Sequence, residues 1–252
     1  MRILLTNDDG IYAPGLRALR TELMKLGTVT VVAPASEQSG VGHSITLLTP
    51  LVVDEVLDED DRPMGWAVEG RPADCVRLAL MELLPEKPDL IVSGLNAGAN
   101  AGINVLYSGT VAAAIEGSFY RHTSIAVSVE TTHDFASAAE TARRVIVKLL
   151  EHPLAKGTLF NVNIPSPDRG PPLGIKTVPQ NVAAYEEAFD RRVDPRGRVY
   201  FWSRPDYKCE DPHPDSDVFA LAERFVTVTP LHFNLTNFPM LTRMQEWNWS
   251  LE

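Results

Sequence analysis

The chain has 252 residues, 44% of them hydrophobic and 22% charged, enough apolar material to bury a sizeable core in one large domain. A formal net charge of −10 argues against charge-driven binding to a nucleic acid polymer or an anionic membrane; a small anionic substrate stays admissible where a cation neutralises it locally. No apolar run approaches the roughly 18 residues that span a bilayer, and the N-terminus opens a strand and not a signal core, so a cytoplasmic protein is expected.

In chain order, Arg2 to Thr6 has the length and Ile/Leu content of an inner strand of a parallel sheet. It ends in Asn7-Asp8-Asp9-Gly10. In open α/β sheets ligands gather beyond the carboxyl ends of strands, where Asp8 and Asp9 would sit. Adjacent carboxylates repel unless a cation lies between them or one stays protonated, and such hard oxygen ligands suit Mg²⁺, Mn²⁺ or Ca²⁺. The alternative is a plain turn, since Asn, Asp and Gly are turn residues.

Further strand signals at 28–33, 89–93, 123–129 and 158–164 alternate with helical patterning near 15–26, 72–84, 110–121 and 134–151, as a parallel sheet with crossover helices requires. The acidic run from Asp54 to Asp61 reads as a solvated loop tip, because no calcium-loop spacing accompanies it. Cys75 and Cys209 match neither a zinc spacing nor a disulfide framework; both read as free thiols, Cys75 within a core. Residues 170–217, rich in Pro, Gly, Arg and Asp with Tyr200-Phe201-Trp202 among them, read as a projecting hairpin arm. Arg224 to Thr229 reads as one more strand and Pro239 to Trp249 as a terminal helix, whose Trp247 and Trp249 suit either a subunit contact or packing on their own domain.

Three loops carry candidate chemistry. After the second strand, the loop from Ala33 to Ser44 contains Ser39, Gly40 and His43 but no Gly-Lys-Ser/Thr phosphate loop; Ser39 suits a cation or a phosphate, and His43 suits acid–base work or a structural role. After the third, Ser93 to Asn104 repeats Gly and Asn every fourth residue. Interior glycines cost about 1 kcal/mol each in a helix, so a loop with free amides facing a ligand is favoured over a helical stripe. Then Ser108-Gly109-Thr110 leads into a strong helix former, which makes a capped N-terminus whose N–H groups suit a phosphate.

Together, Thr6-Asn7-Asp8-Asp9-Gly10 with Ala13-Pro14-Gly15, Ala33-Pro34 with Ser39-Gly40 and His43-Ser44, Pro72-Ala73-Asp74, Ser93-Gly94-Leu95-Asn96 through Asn100, and Tyr107-Ser108-Gly109-Thr110 closely resemble the SurE family of metal-dependent nucleoside monophosphate phosphatases. The resemblance covers nearly the whole chain. It implies a Rossmann-like three-layer α/β fold with a mostly parallel sheet, a hairpin arm over 170–217 and a C-terminal oligomerisation segment over 237–252, all within one domain. It places one divalent cation per subunit, Mg²⁺ or Mn²⁺, on Asp8, Asp9, Ser39 and Asn96. Asn96, Asn100, Ser108, Gly109, Thr110, Gly40 and His43 become the phosphate-binding set, with Asp8 or Asp9 handling the proton. The implied activity is hydrolysis of nucleoside 5′-monophosphates, with 3′-monophosphates and short polyphosphates as further candidates, by a homodimer or homotetramer. Arg71 and Asn104 depart from residues frequent in the family, and neither is a proposed ligand. The competing reading is a nucleotide-binding stress-response module without turnover, which predicts metal-dependent binding and no phosphate release.

Overall fold

The computed structural model describes residues 1–183, 185–186, 188–204, 208–209 and 213–250, with the backbone alone at 185–186 and 208–209. The first strands are β1 (Arg2–Thr6), β2 (Thr28–Pro34), β3 (Val53–Leu57), β4 (Pro63–Val68), β5 (Leu90–Ala97), β6 (Ser124–Val129) and β7 (Leu159–Ile164). They are followed by β8 (Ile175–Thr177), β9 (Tyr185–Glu186), β10 (Phe189–Val193), β11 (Val199–Ser203), β12 (Lys208–Cys209) and β13 (Val226–Leu231). The helices are α1 (Pro14–Leu23), α2 (Pro72–Leu78), α3 (Gly109–Phe119), α4 (Phe135–Leu150), α5 (Asp217–Ala222) and α6 (Phe238–Gln245).

One sheet runs in the order β3-β4-β2-β1-β5-β6-β7-β13-β8. Its six inner strands, β4 to β7, are all parallel, and antiparallel pairing enters only where β3 joins β4 and β13 joins β7. Side-chain alternation along β1 builds the three layers. Ile3 and Leu5 pack with Leu16, Leu19 and Leu23 of α1 and with Ala138, Ala142 and Ile146 of α4. Leu4 points the other way, toward Val76 of α2 and Ala113 of α3. A strand covered on both faces must be apolar throughout, which is why Ile-Leu-Leu can only be interior. Chain order leaves β1 in one direction to β2 and β4, and resumes on its other side with β5, β6 and β7. The reversal between β1 and β5 is the topological switch point at which such sheets bind ligands.

The acidic run is not all loop. Val53–Leu57 is an edge strand carrying Asp54 and Glu55 on its exposed positions, a placement that discourages edge-to-edge pairing, and only 58–62 forms the tip. There Asp58 accepts the N–H groups of Asp60 and Arg62, and those bonds, the Arg62 one first, hold its carboxyl below the usual range. Residues 170–217 divide: β8 pairs with β13 in the main sheet, while β10–β11 and β9–β12 form separate two-stranded sheets. The terminal helix spans Phe238–Gln245, shorter than the sequence suggests. Cys75 is a buried free thiol that burial pushes well above its ordinary range; the side chain of Cys209 lies outside the described residues. No helix among the described residues is long and apolar enough to cross a membrane.

Candidate active site

The turn after β1 and the C-terminal end of β5 meet at one cavity of about 880 Å³. The exit from β1 is a tight turn closed by Asn7 Nδ2, which donates to the carbonyl of Gly10 at 2.9 Å. Helix α1 then starts directly against β5, and only glycine permits it: a Cβ at Gly15 would lie 2.2 Å from the carbonyl oxygen of Leu95. The motif from Thr6 to Gly15 is therefore a packing device as well as a carrier of acids.

Asp8 is 5% exposed and would be costly to ionise without donors. It receives them from the first turn of α3: the Thr110 hydroxyl donates to its Oδ1, and the N–H groups of Gly109 and Thr110 face the carboxylate. Burial still raises its pKa, with those bonds acting in the opposite direction. The approach again demands glycine, since a Cβ at Gly109 would stand 2.8 Å from Asp8 Cβ and 3.0 Å from its Oδ2. Helix α3 is capped separately by Ser108, whose hydroxyl accepts from the N–H of Val111 at 3.1 Å.

Asp9 accepts one backbone bond, from the N–H of Ala97 at 3.2 Å. Burial first and the neighbouring Asp8 charge second push its pKa up to about 6. Across the cavity the Ser39 hydroxyl donates to Glu37 Oε1 at 2.6 Å, which leaves its oxygen lone pairs free to accept. Asn96 donates Nδ2 to the carbonyl of Gly98 at 2.6 Å, so its Oδ1 is the atom left for a ligand. Asp8, Asp9, Ser39, Gly40, Asn96, Asn100 and Ser108 all line the cavity, together with Glu37.

A sequence model described as Survival protein SurE matches residues 3–187. Over 251 residues the chain is 53% identical to the 5′-nucleotidase SurE of Rhodopirellula baltica, covering 98% of this chain and 99% of that one. This chain belongs to the SurE family. The 5′-nucleotidase SurE of Desulforudis audaxviator is 45% identical across 98% of this chain and 97% of its own. The crystal structure of the SurE protein from Aquifex aeolicus superposes with a TM-score of 0.84 at 37% identity, covering 97% of this chain and 98% of that one. Membership in SurE fixes the fold described above.

Two assignments made from sequence shift within this SurE site. The N–H groups of Gly109 and Thr110 face the Asp8 carboxylate, and neither residue lines the cavity, because a buried acid takes the nearest strong donors. His43 does not line it either; its Nε2 lies 2.7 Å from Glu116 Oε2. Four contributors escaped the sequence reading. Glu37 adds a third carboxylate, signalled only by its position two residues before Ser39. Asn161 and Asn163 of β7 both donate through Nδ2 to the carbonyl of Asn100, and Asn163 Oδ1 accepts from the Asn100 N–H at 2.8 Å. Two amides alternating in an apolar strand were the available signal. Phe189 of β10 reaches the cavity from the arm.

The donor set suits a hard divalent cation. Among the described residues no Lys, Arg or His lines the cavity, while three carboxylates do, so none of the described side chains there offsets the charge of an anionic ligand and a bound cation would. No three His, Cys, Asp or Glu side chains among the described residues form a ready cage, so the neutral oxygens of Ser39 and Asn96 would have to complete the coordination.

Proposed function

We propose that this chain is a 5′-nucleotidase that hydrolyses nucleoside 5′-monophosphates to nucleoside and phosphate. In this reading one divalent cation per subunit, Mg²⁺ or Mn²⁺, is held by Asp8, Asp9, Ser39 and Asn96. The observation that carries it is a cavity at the β1/β5 switch point lined by three carboxylates and, among the described residues, by no basic side chain to receive a phosphate. A bound cation would neutralise the phosphate and acidify a water.

The remaining work falls to the chain. Asp8, gripped by the donors of α3, serves as a fixed anchor. Asp9, held by a single backbone donor, is the better placed carboxylate to accept the proton of the attacking water. As the water oxygen bonds to phosphorus and the bond to the ester oxygen breaks, that proton passes on to the leaving hydroxyl. The Ser108 hydroxyl, which accepts from Val111, still has its own hydrogen to donate to a phosphate oxygen. Asn100 is held by Asn161, Asn163 and Ser128 at the cavity wall, where it sets the loop's shape. The cavity, at about 880 Å³, is within the size range of small-molecule sites, and 3′-monophosphates and short polyphosphates fall within the same chemistry.

The working unit is read as a homo-oligomer in the cytoplasm, and the exposed aromatic residues of the arm and C-terminal segment support the oligomer. Asp8→Ala, assayed with a nucleoside 5′-monophosphate and Mn²⁺, is expected to lose phosphate release by at least about 10³-fold. Near wild-type turnover would sink the proposal, and nucleotide binding by the wild type without phosphate release would favour a binding module instead.

A further inference from the structure

The Ser39 loop is pinned at four points, and at one of these, His43, a side chain of the loop reaches a buried carboxylate. At its start the N–H of Gln38 donates to the carbonyl of Asp8 at 2.7 Å. Gly42, in the left-handed region at φ 56°, donates its N–H to the carbonyl of Tyr107 at 2.9 Å. The N–H of Thr46 donates to both carboxylate oxygens of Asp74, at 3.1 and 3.0 Å. Between these, His43 Nε2 meets Glu116 Oε2 at 2.7 Å, and the imidazole stacks on Phe119 with ring centroids 5.3 Å apart.

Glu116 is unusual company for a loop residue. Its side chain is 8% exposed in the middle of α3, and besides His43 its charged neighbour is Arg77, whose Nε lies 3.8 Å from Oε1. A carboxylate so placed requires donors, and it lies on the same helix whose first turn grips Asp8. Helix α3 therefore holds one proposed cation ligand, Asp8, by its N-terminus and the loop bearing another, Ser39, by its middle. From this geometry we infer that His43 and Glu116 are positioning residues: their contact sets where the Ser39 hydroxyl stands relative to Asp8. The inference rests on the proposed cation site, and it removes His43 from acid–base chemistry, since the ring is committed to Glu116 and does not line the cavity.

The test is calorimetric titration of the metal-free full chain with Mn²⁺, paired with kcat and KM on a nucleoside 5′-monophosphate. Losing an outer partner of a ligand typically lowers metal affinity about 10- to 100-fold. His43→Ala is expected to weaken Mn²⁺ binding at least about tenfold. His43→Gln keeps a donor for Glu116 and is expected to stay within about threefold of the wild type. His43→Phe retains an aromatic ring over Phe119 but cannot donate, so it should fall with His43→Ala and separate packing from the hydrogen bond. KM for the nucleotide should rise less than the affinity for Mn²⁺ falls. Unchanged Mn²⁺ affinity in His43→Phe overturns the inference, as does equal impairment of the Gln and Phe variants. Should the wild type bind Mn²⁺ yet release no phosphate, the nucleotidase reading fails alone, and the calorimetric comparison still decides the clamp.

Discussion

A pair of adjacent carboxylates with no basic side chain beside them among the described residues is held together against its own charge, and Asp9 shows this most plainly. Its pKa rises from the ordinary 3.8 to about 6 through burial and then the charge of Asp8. A raised folded-state pKa means that the folded protein binds the proton more tightly than the unfolded one. The corresponding stability is fully present below about pH 4 and is lost as pH rises through about 6. Asp9→Asn cannot ionise, so the metal-free variant should melt above the metal-free wild type at pH 7.5, on the order of 3 °C, with the gap closing near pH 4.5. Added Mn²⁺ should raise the wild-type Tm and leave the variant nearly unmoved. Scanning calorimetry at the two pH values checks both, and a pH-independent gap would refute the assignment. A second residue-scale prediction concerns Gly109, where a Cβ would collide with Asp8 at 2.8 Å. Gly109→Ala should keep its helix content by circular dichroism while kcat falls about 10- to 100-fold, because the displaced acid misplaces the reacting groups. A variant with unchanged kcat would show that Asp8 tolerates the shift. Asp8, Asp9 and Asn96 were legible as polar residues at or just beyond strand ends and Ser39 as a loop residue, while their grouping around one site came from the family resemblance. The partner of each donor was not, because which groups a buried acid captures depends on packing between distant segments.

At the scale of elements, strand–helix alternation was legible wherever an inner strand was uniformly apolar, and it failed where the pattern was mixed. β3 and β4 were missed because acids occupy the exposed positions of the first, while Pro63 and Gly65 interrupt the second. The loop after β5 was expected as free amides facing a ligand, yet much of it is tethered. Asn161 and Asn163 hold Asn100, and Asp217 of α5 accepts from the N–H of Gly102 at 2.9 Å and of Asn181 at 2.8 Å. Loop shape thus comes from β7 and α5, elements 60 or more residues away in the chain. Asn163→Leu removes a partner from both the N–H and the carbonyl of Asn100 and should cost about 1–3 kcal/mol in urea unfolding. The same change should lower kcat more than it raises KM for the nucleotide. If stability falls with kcat intact, the tether is structural and the loop's position is irrelevant to turnover.

For the whole molecule, the described surface leaves many large apolar side chains open. Phe189, Phe201 and Trp202 on the arm are 58–60% exposed, and Leu235, Phe238, Trp247 and Trp249 of the C-terminal segment are likewise open. Helix α6 buries no residue at all, although Trp247 and Trp249 face each other at 5.6 Å and Trp249 Nε1 donates to the carbonyl of Met244. A two-stranded sheet such as β10–β11 is marginal by itself, and a short helix with no buried face has nothing of its own chain to keep it folded. Both conditions are met when a second copy supplies the missing cover, and a stable interface needs roughly 1,200–2,000 Å² in total. The arm also brings Phe189 to the cavity, so an interface that fixes the arm fixes one wall of the site. Light scattering on the full chain is accordingly expected to give at least twice the chain mass. Deleting residues 237–252 should lower that mass or make it depend on concentration between about 1 and 100 μM. If the full chain scatters as a monomer, or if the truncated chain keeps the same mass at every concentration, the C-terminal segment is not the contact.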